Sequence, residues 1–234
     1  MNNNDFLNCV KESFFKYLET GSRSNEKLKI LHGAIARDLS NRFGTEYKIH
    51  SLGFGDNKEE GMIGRYMKKK VDIGIEKNKD VIGAIALKFI MRNYSQNSNN
   101  YFENMLGETA NIRSAGKPYF QIVVLPSKVP YFNDKGIITH IEKISKHNLA
   151  KYINLSNDNI SDFLHTPNKT LIYLIDLPKL PATINTREEY IEFYKKNNKF
   201  DVITNTEEYN FGSAVVFNDY NTFIDKVVHT ILAI

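Results

Sequence analysis

Val71-Asp72-Ile73-Gly74-Ile75-Glu76, then Lys77-Asn78-Lys79-Asp80, then Val81-Ile82-Gly83-Ala84-Ile85-Ala86-Leu87-Lys88-Phe89 is the stretch that decides the fold. Val71, Ile73 and Ile75 alternate with Asp72, Gly74 and Glu76, the period of a half-buried strand. The next four residues are a polar turn. Residues 81–90 are then a nearly continuous apolar run, the pattern of a strand buried on both faces. A hairpin at the heart of a sheet follows from these two patterns.

Working outward, Phe6, Leu7, Val10, Phe14 and Leu18 recur at helical spacing over residues 5–19, up to Gly21. Ser24-Asn25-Glu26 offers a capped start to a second helix carrying Leu28, Leu31, Ile35 and Leu39, closed by Gly44. Residues 47–52 read as a strand leading into Gly53-Phe54-Gly55-Asp56-Asn57. After the central hairpin, 92–100 reads as a polar loop and 101–115 as a helix, broken by Gly116-Lys117-Pro118 before the apolar strand 119–125. Helical patterns near 138–153, 187–196 and 221–233, with strands at 170–177 and 214–217, complete an α/β order. No internal repeat or linker interrupts it, so the expectation is one α/β domain over residues 1–234.

Of the 234 residues, 41% are hydrophobic and 25% charged, which permits an ordinary packed core. The net charge of +4 is only mildly basic: it allows a polyanionic partner without demanding one. One cysteine, Cys9, excludes an intrachain disulfide and a multi-thiolate zinc site, and reads as a small apolar residue on the first helix. No signal peptide and no run of about 18 apolar residues is present, so a cytoplasmic protein with no membrane contact is expected. The six histidines show no metal-ligand spacing, and Gly53-Phe54-Gly55 matches no phosphate or dinucleotide loop.

The order helix, strand with Asp72, turn, strand ending in Ala86-Leu87-Lys88, helix, strand resembles the PD-(D/E)XK nuclease core, over about residues 59–125. The resemblance implies a restriction-endonuclease-like core, a central mixed β-sheet flanked by helices, with the rest of the chain serving recognition and dimerisation. It implies a Mg2+-dependent endodeoxyribonuclease, most like a type II restriction enzyme, hydrolysing double-stranded DNA at a specific sequence. A double-strand cutter of this type would be a homodimer matching a palindromic site.

The chemistry explains the residue types. Phosphodiester hydrolysis calls for a hard divalent cation held by carboxylates, and for a lysine that stabilises developing negative charge. Residues two apart in a strand share a face, so position 86 and Lys88 would converge on Asp72. Ala86 departs from the pattern, since it cannot bind a metal. Either an acid at 86 has been replaced to inactivate the enzyme, or the acid has moved to the next helix, with Glu103 the nearest candidate and Glu108 a weaker one. Glu76 reads as a solvated strand-end acid. Glu59 and Glu60 read as an exposed acidic turn, with an extra metal ligand as the other reading.

Arg92, Asn93, Tyr94, Gln96, Asn97, Asn99 and Asn100 are candidates for DNA contacts, because amides and arginine can bond base edges and phosphates; a plain polar loop is the competing reading. Lys69 and Lys70, in the cluster with Arg65 and Lys68, are candidates for phosphate neutralisation or simply a solvated face. Three rival functions stand beside the restriction-like one. They are a nuclease of the same fold in repair or phage defence, a catalytically dead DNA-binding module, and a small-molecule α/β enzyme.

Overall fold

The hairpin expected at residues 71–89 lies inside a seven-stranded mixed sheet. In the computed structural model, which describes residues 1–197, 201–205 and 209–234, β1 (Tyr47–Ser51), β4 (Ile73–Lys77) and β5 (Asp80–Phe89) form an antiparallel meander. β6 (Tyr119–Pro126) and β9 (Lys169–Asp176) then add in parallel, in the order β1-β4-β5-β6-β9. β10 (Ile203–Thr204) and β11 (Val215–Phe217) both pair with β9. Two small hairpins stand apart: β2 (Glu60–Ile63) with β3 (Lys68–Val71), and β7 (Lys128–Phe132) with β8 (Ile138–Lys143). The result is an α/β fold with a central mixed sheet flanked by helices.

Each face of the sheet has its own helices. α1 (Asn3–Thr20), α2 (Glu26–Phe43) and α6 (Tyr220–Leu232) cover one face, packing Phe6, Phe14, Leu31, Ile35, Phe223 and Val227 against Ile85, Leu87, Phe120, Ile122 and Tyr173. α3 (Tyr94–Arg113) and α4 (Ala150–Ser156) cover the other, where Met105, Tyr152 and Leu155 meet Val123, Leu125 and Leu174. α5 (Arg187–Lys196) packs Tyr190 and Tyr194 against the α1 side. Burial of both faces accounts for the near-continuous apolar runs of β5, β6 and β9. Among the described residues no helix is long and apolar enough to cross a membrane.

Three expectations are corrected. The strand expected through residues 71–76 breaks at Asp72, so that Val71 pairs in the small hairpin while Ile73 begins β4. Val71 packs with Met62 and Ala86, whereas Ile73 packs in the core of the opposite face. The loop expected at 92–100 is instead the start of α3. Asn93 takes a left-handed conformation (φ 48°), and its amide donates to the Phe132 carbonyl and accepts from the Phe132 N–H. Glu142 of β8 accepts from the Ser95 N–H, placing an acid at the positive helix end. The helical pattern at 138–153 divides into β8 and α4. The turn Asn133–Gly136, with Asn133 accepting from the Lys135 and Ile137 N–H groups and Gly136 at φ 77°, folds β8 back onto β7.

Candidate metal centre

The break at Asp72 creates the candidate site. β4 pairs with β5 only as far as Ile73 opposite Ile85, so Ala86 to Phe89 have a ladder partner on the β6 side alone among the described residues. On the open side the Asp72 carboxylate accepts the Leu87 N–H at 2.7 Å, and the Asp72 carbonyl accepts from the Ser51 hydroxyl at 3.1 Å. The aspartate thus takes a ladder hydrogen bond with its side chain and is fixed where the strand turns away.

Two glycines bring α2 to this place. A Cβ on Gly33 would collide with the Gly53 carbonyl, and one on Gly53 with the Lys29 carbonyl, so backbone lies directly against backbone. Gly53 also holds φ +75°, a conformation that suits glycine. Asn57, in the left-handed region, accepts from the Gly53 N–H at 2.6 Å and turns the chain toward Glu59. The outcome is that His32, Glu59 and Asp72 each offer a ligand atom, all within 4.8 Å of one another.

His32 is fully buried, and neither ring nitrogen has a hydrogen-bond partner. Burial pushes its pKa down; the negative charges of Asp72 and Glu59 oppose this, and Lys88 adds to it. A buried neutral imidazole with both nitrogens unsatisfied is costly unless something binds it. Glu59 pairs with Lys70 at 3.2 Å, and the half-buried Lys88 has no hydrogen bond or ion pair among the described residues. One nitrogen and two carboxylate sources fit a divalent cation. An all-oxygen shell is the preference of Mg2+, and the imidazole shifts the balance toward a first-row ion such as Mn2+.

The expected site residues fall into distinct places. Asp72 and Lys88 both act electrostatically on His32. Ala86 is 4% exposed, in an apolar cluster with Met62, Ile112 and Tyr119, and pairs with Gln121, whose side-chain oxygen lacks a partner. Glu103 does not join the site: it is exposed on α3, and the neighbour it acts on is Lys151. Glu108 accepts from the Tyr119 hydroxyl at 2.9 Å and pairs with Lys69 at 2.7 Å. Glu76 bonds His50 at 2.8 Å rather than facing solvent alone.

Among the expected DNA contacts, Tyr94 is 1% exposed, its hydroxyl donating to the Asn148 carbonyl, which makes it a core residue. Asn93 is committed to the backbone of Phe132. Asn99 accepts from Lys151, and Asn100 is exposed on α3. Lys69 and Lys70 are held by Glu108 and Glu59. Arg92, Gln96 and Asn97 line a common cleft of about 500 Å3. His32, which sequence spacing passed over, is the unexpected member. Its one local signal is a histidine lying next to Leu31 on the stripe that buries α2, just before a glycine.

No family description matches this chain, and no solved structure does. Part of it is similar to a MATH and LRR domain-containing protein of Plasmodium falciparum, at 30% identity over 114 residues. That stretch is 42% of this chain and 1% of the other protein, too small a share to assign a family.

Proposed function

We propose that this chain is a divalent-cation-dependent nuclease with a PD-(D/E)XK-type core. The observation that carries the reading is the meeting of Asp72, Glu59 and the partnerless His32 beside an unpaired Lys88. The order α2, β1, β4, β5, α3, β6, with an antiparallel meander followed by a parallel strand, supports it. In this reading Glu59 supplies the second carboxylate, so Ala86 needs no acid.

Asp72 and Glu59 offer oxygens and His32 a nitrogen to the cation. Bound there, a divalent cation neutralises phosphate charge and acidifies an attacking water. Lys88 sets its ammonium where negative charge develops on the phosphate. The finer reading, cutting of double-stranded DNA at a specific sequence by a homodimer, follows the resemblance and shares the same site.

Incubation with long double-stranded DNA in Mg2+, in Mn2+ and in EDTA tests this. Cation-dependent cutting that is lost in Glu59→Gln and Lys88→Ala is expected, and discrete fragments would support sequence specificity. A folded chain that binds DNA and cuts in neither cation would overturn the nuclease reading in favour of a binding module.

A further inference from the structure

The cleft of about 500 Å3 that opens past the end of β5 is built from three separate segments. Arg23 comes from the connection between α1 and α2, Arg92 from the residues after β5, and Arg187 from the first position of α5. None of the three is paired with a carboxylate among the described residues, and Asp134 is the one acidic residue in the lining. Arg92 donates to the Ser22 hydroxyl at 2.9 Å. The Arg187 guanidinium lies 3.2 Å from where a Cβ on Gly21 would stand. Both guanidiniums therefore lie against the Gly21–Ser22 segment, on the cleft that Tyr17 also lines.

This arrangement is held in place rather than left to a flexible surface. Lys27 spends its ammonium on the carbonyls of Gly21, Ser22 and Ser24, fixing the loop that carries Arg23. Asn93 anchors the start of α3, whose Gln96, Asn97 and Tyr101 form another wall. Three like charges gathered in one concavity repel unless an anion joins them. Guanidinium forks match phosphate oxygens, amides match base edges, and a tyrosine ring can stack on a base. The volume lies in the range of a small-molecule site and is far too small for a duplex.

We propose that the cleft is a seat for one phosphate-bearing nucleotide unit, with Arg23, Arg92 and Arg187 on the phosphate and Gln96 and Asn97 toward the base. Arg92 is four residues from Lys88, roughly 13 Å of extended chain at most, so the seat lies within reach of the strand that carries Lys88. The assignment to a nucleotide rests on the nuclease reading; the demand for an anion does not. The unit is either a free mononucleotide or one nucleotide within a strand.

The full chain is examined in EDTA, where binding is measured without cutting. The probes are a fluorescent single-stranded deoxyoligonucleotide read by anisotropy, with a deoxynucleoside 5′-monophosphate and inorganic phosphate as competitors. Arg187→Ala and Arg23→Ala are each expected to weaken binding about tenfold or more, while Lys226→Ala, at an exposed position on α6 outside the cleft, changes it little. Competition by the monophosphate assigns the seat to free nucleotide, and competition by unlabelled oligonucleotide alone assigns it to a strand; either outcome upholds it. Inorganic phosphate competing as well as the nucleotide would overturn the assignment to a nucleotide. Should the variants misfold, phenylglyoxal modification of the unaltered chain, mapped by mass spectrometry, gives the same answer. Protection of Arg23, Arg92 and Arg187 by the competing ligand is expected, and equal modification with and without it would overturn the seat. Binding that depends on these arginines in a chain that never cuts would retain the seat and sink the nuclease. Cutting with binding indifferent to them would do the reverse.

Discussion

Replacing His32 by leucine should reverse the stability order of the two proteins when a divalent cation is added. His32 is fully buried with both ring nitrogens unsatisfied, and a buried polar group without a partner costs about 1–3 kcal/mol. Leucine fills a similar volume and removes both polar atoms. In EDTA, His32→Leu should therefore be more stable than the unaltered chain by about 1–3 kcal/mol, a rise in Tm of roughly 2–12 °C for a chain this long. A ligand at one hundred times its Kd stabilises by about 2.7 kcal/mol. Mn2+ at that level should raise the unaltered chain by roughly 5–11 °C and the variant by little, because two carboxylates alone hold the ion less well. Thermal melts by circular dichroism in EDTA, Mg2+ and Mn2+ read all of this, with Mn2+ expected to exceed Mg2+. A variant that melts well below the unaltered chain in EDTA would make His32 an ordinary core residue. Equal Mn2+ shifts in both proteins would remove it from the ligand set.

Lys88→Ala should leave the fold and cation binding intact while lowering DNA cutting by about 100- to 1,000-fold, the usual effect of losing one charge-stabilising donor; gel assays of cleavage read it, and unchanged rates would dismiss the lysine. Ala86→Glu should destabilise the chain by about 3 kcal/mol or more, because it drives a carboxylate into the cluster of Met62, Ile112 and Tyr119. It should not increase cutting, and a large gain in cutting without loss of Tm would return the second acid to position 86. Gly33→Ala gains about 1 kcal/mol of helix propensity, yet its Cβ meets the Gly53 carbonyl. Urea unfolding should show a net loss of about 1–2 kcal/mol, together with a weaker Mn2+ response as α2 is pushed from Glu59.

How far the sequence could be read depends on the range of the interaction that decides each feature. The β4–β5 hairpin was legible because its alternation and its turn lie within twenty residues. The break at Asp72 was not, since Val71 and Ile73 continue the apolar alternation even though they enter cores on opposite faces of the sheet. The first two turns of α3 carry Gln96, Asn97, Asn99 and Asn100, which have no apolar period; what starts the helix is Asn93 gripping Phe132, thirty-nine positions away. Ile138, Ile141 and Ile144 fall at helical spacing, but the Asn133–Gly136 turn assigns the first two to a strand. Asp72 and Lys88 could be singled out as candidates because their spacing is local to one hairpin. His32 was passed over, and Glu59 read first as an exposed turn with a metal ligand only as the other reading, because a glycine contact between α2 and the loop after β1 brings them there and no local pattern encodes it.

That same glycine contact explains how the site can be ready before a ligand arrives. Two carboxylates within 4.8 Å of each other repel, yet each has its own counterweight. Asp72 accepts the Leu87 N–H at 2.7 Å, and Glu59 pairs with Lys70 at 3.2 Å. His32 has no such counterweight, and its neutral form is the one a cation requires. The three ligand residues come from a helix, a loop and a strand junction, so an ion bound by all of them would tie those segments together. Binding should then slow the separation of α2 from the β1–β2 connection. Amide exchange at residues 29–33 and 53–59 should fall together on adding Mn2+ in the unaltered chain, and stay unchanged in His32→Leu. Protection confined to residues 53–59 would mean the ion is held without the histidine, and the site would reduce to a pair of acids.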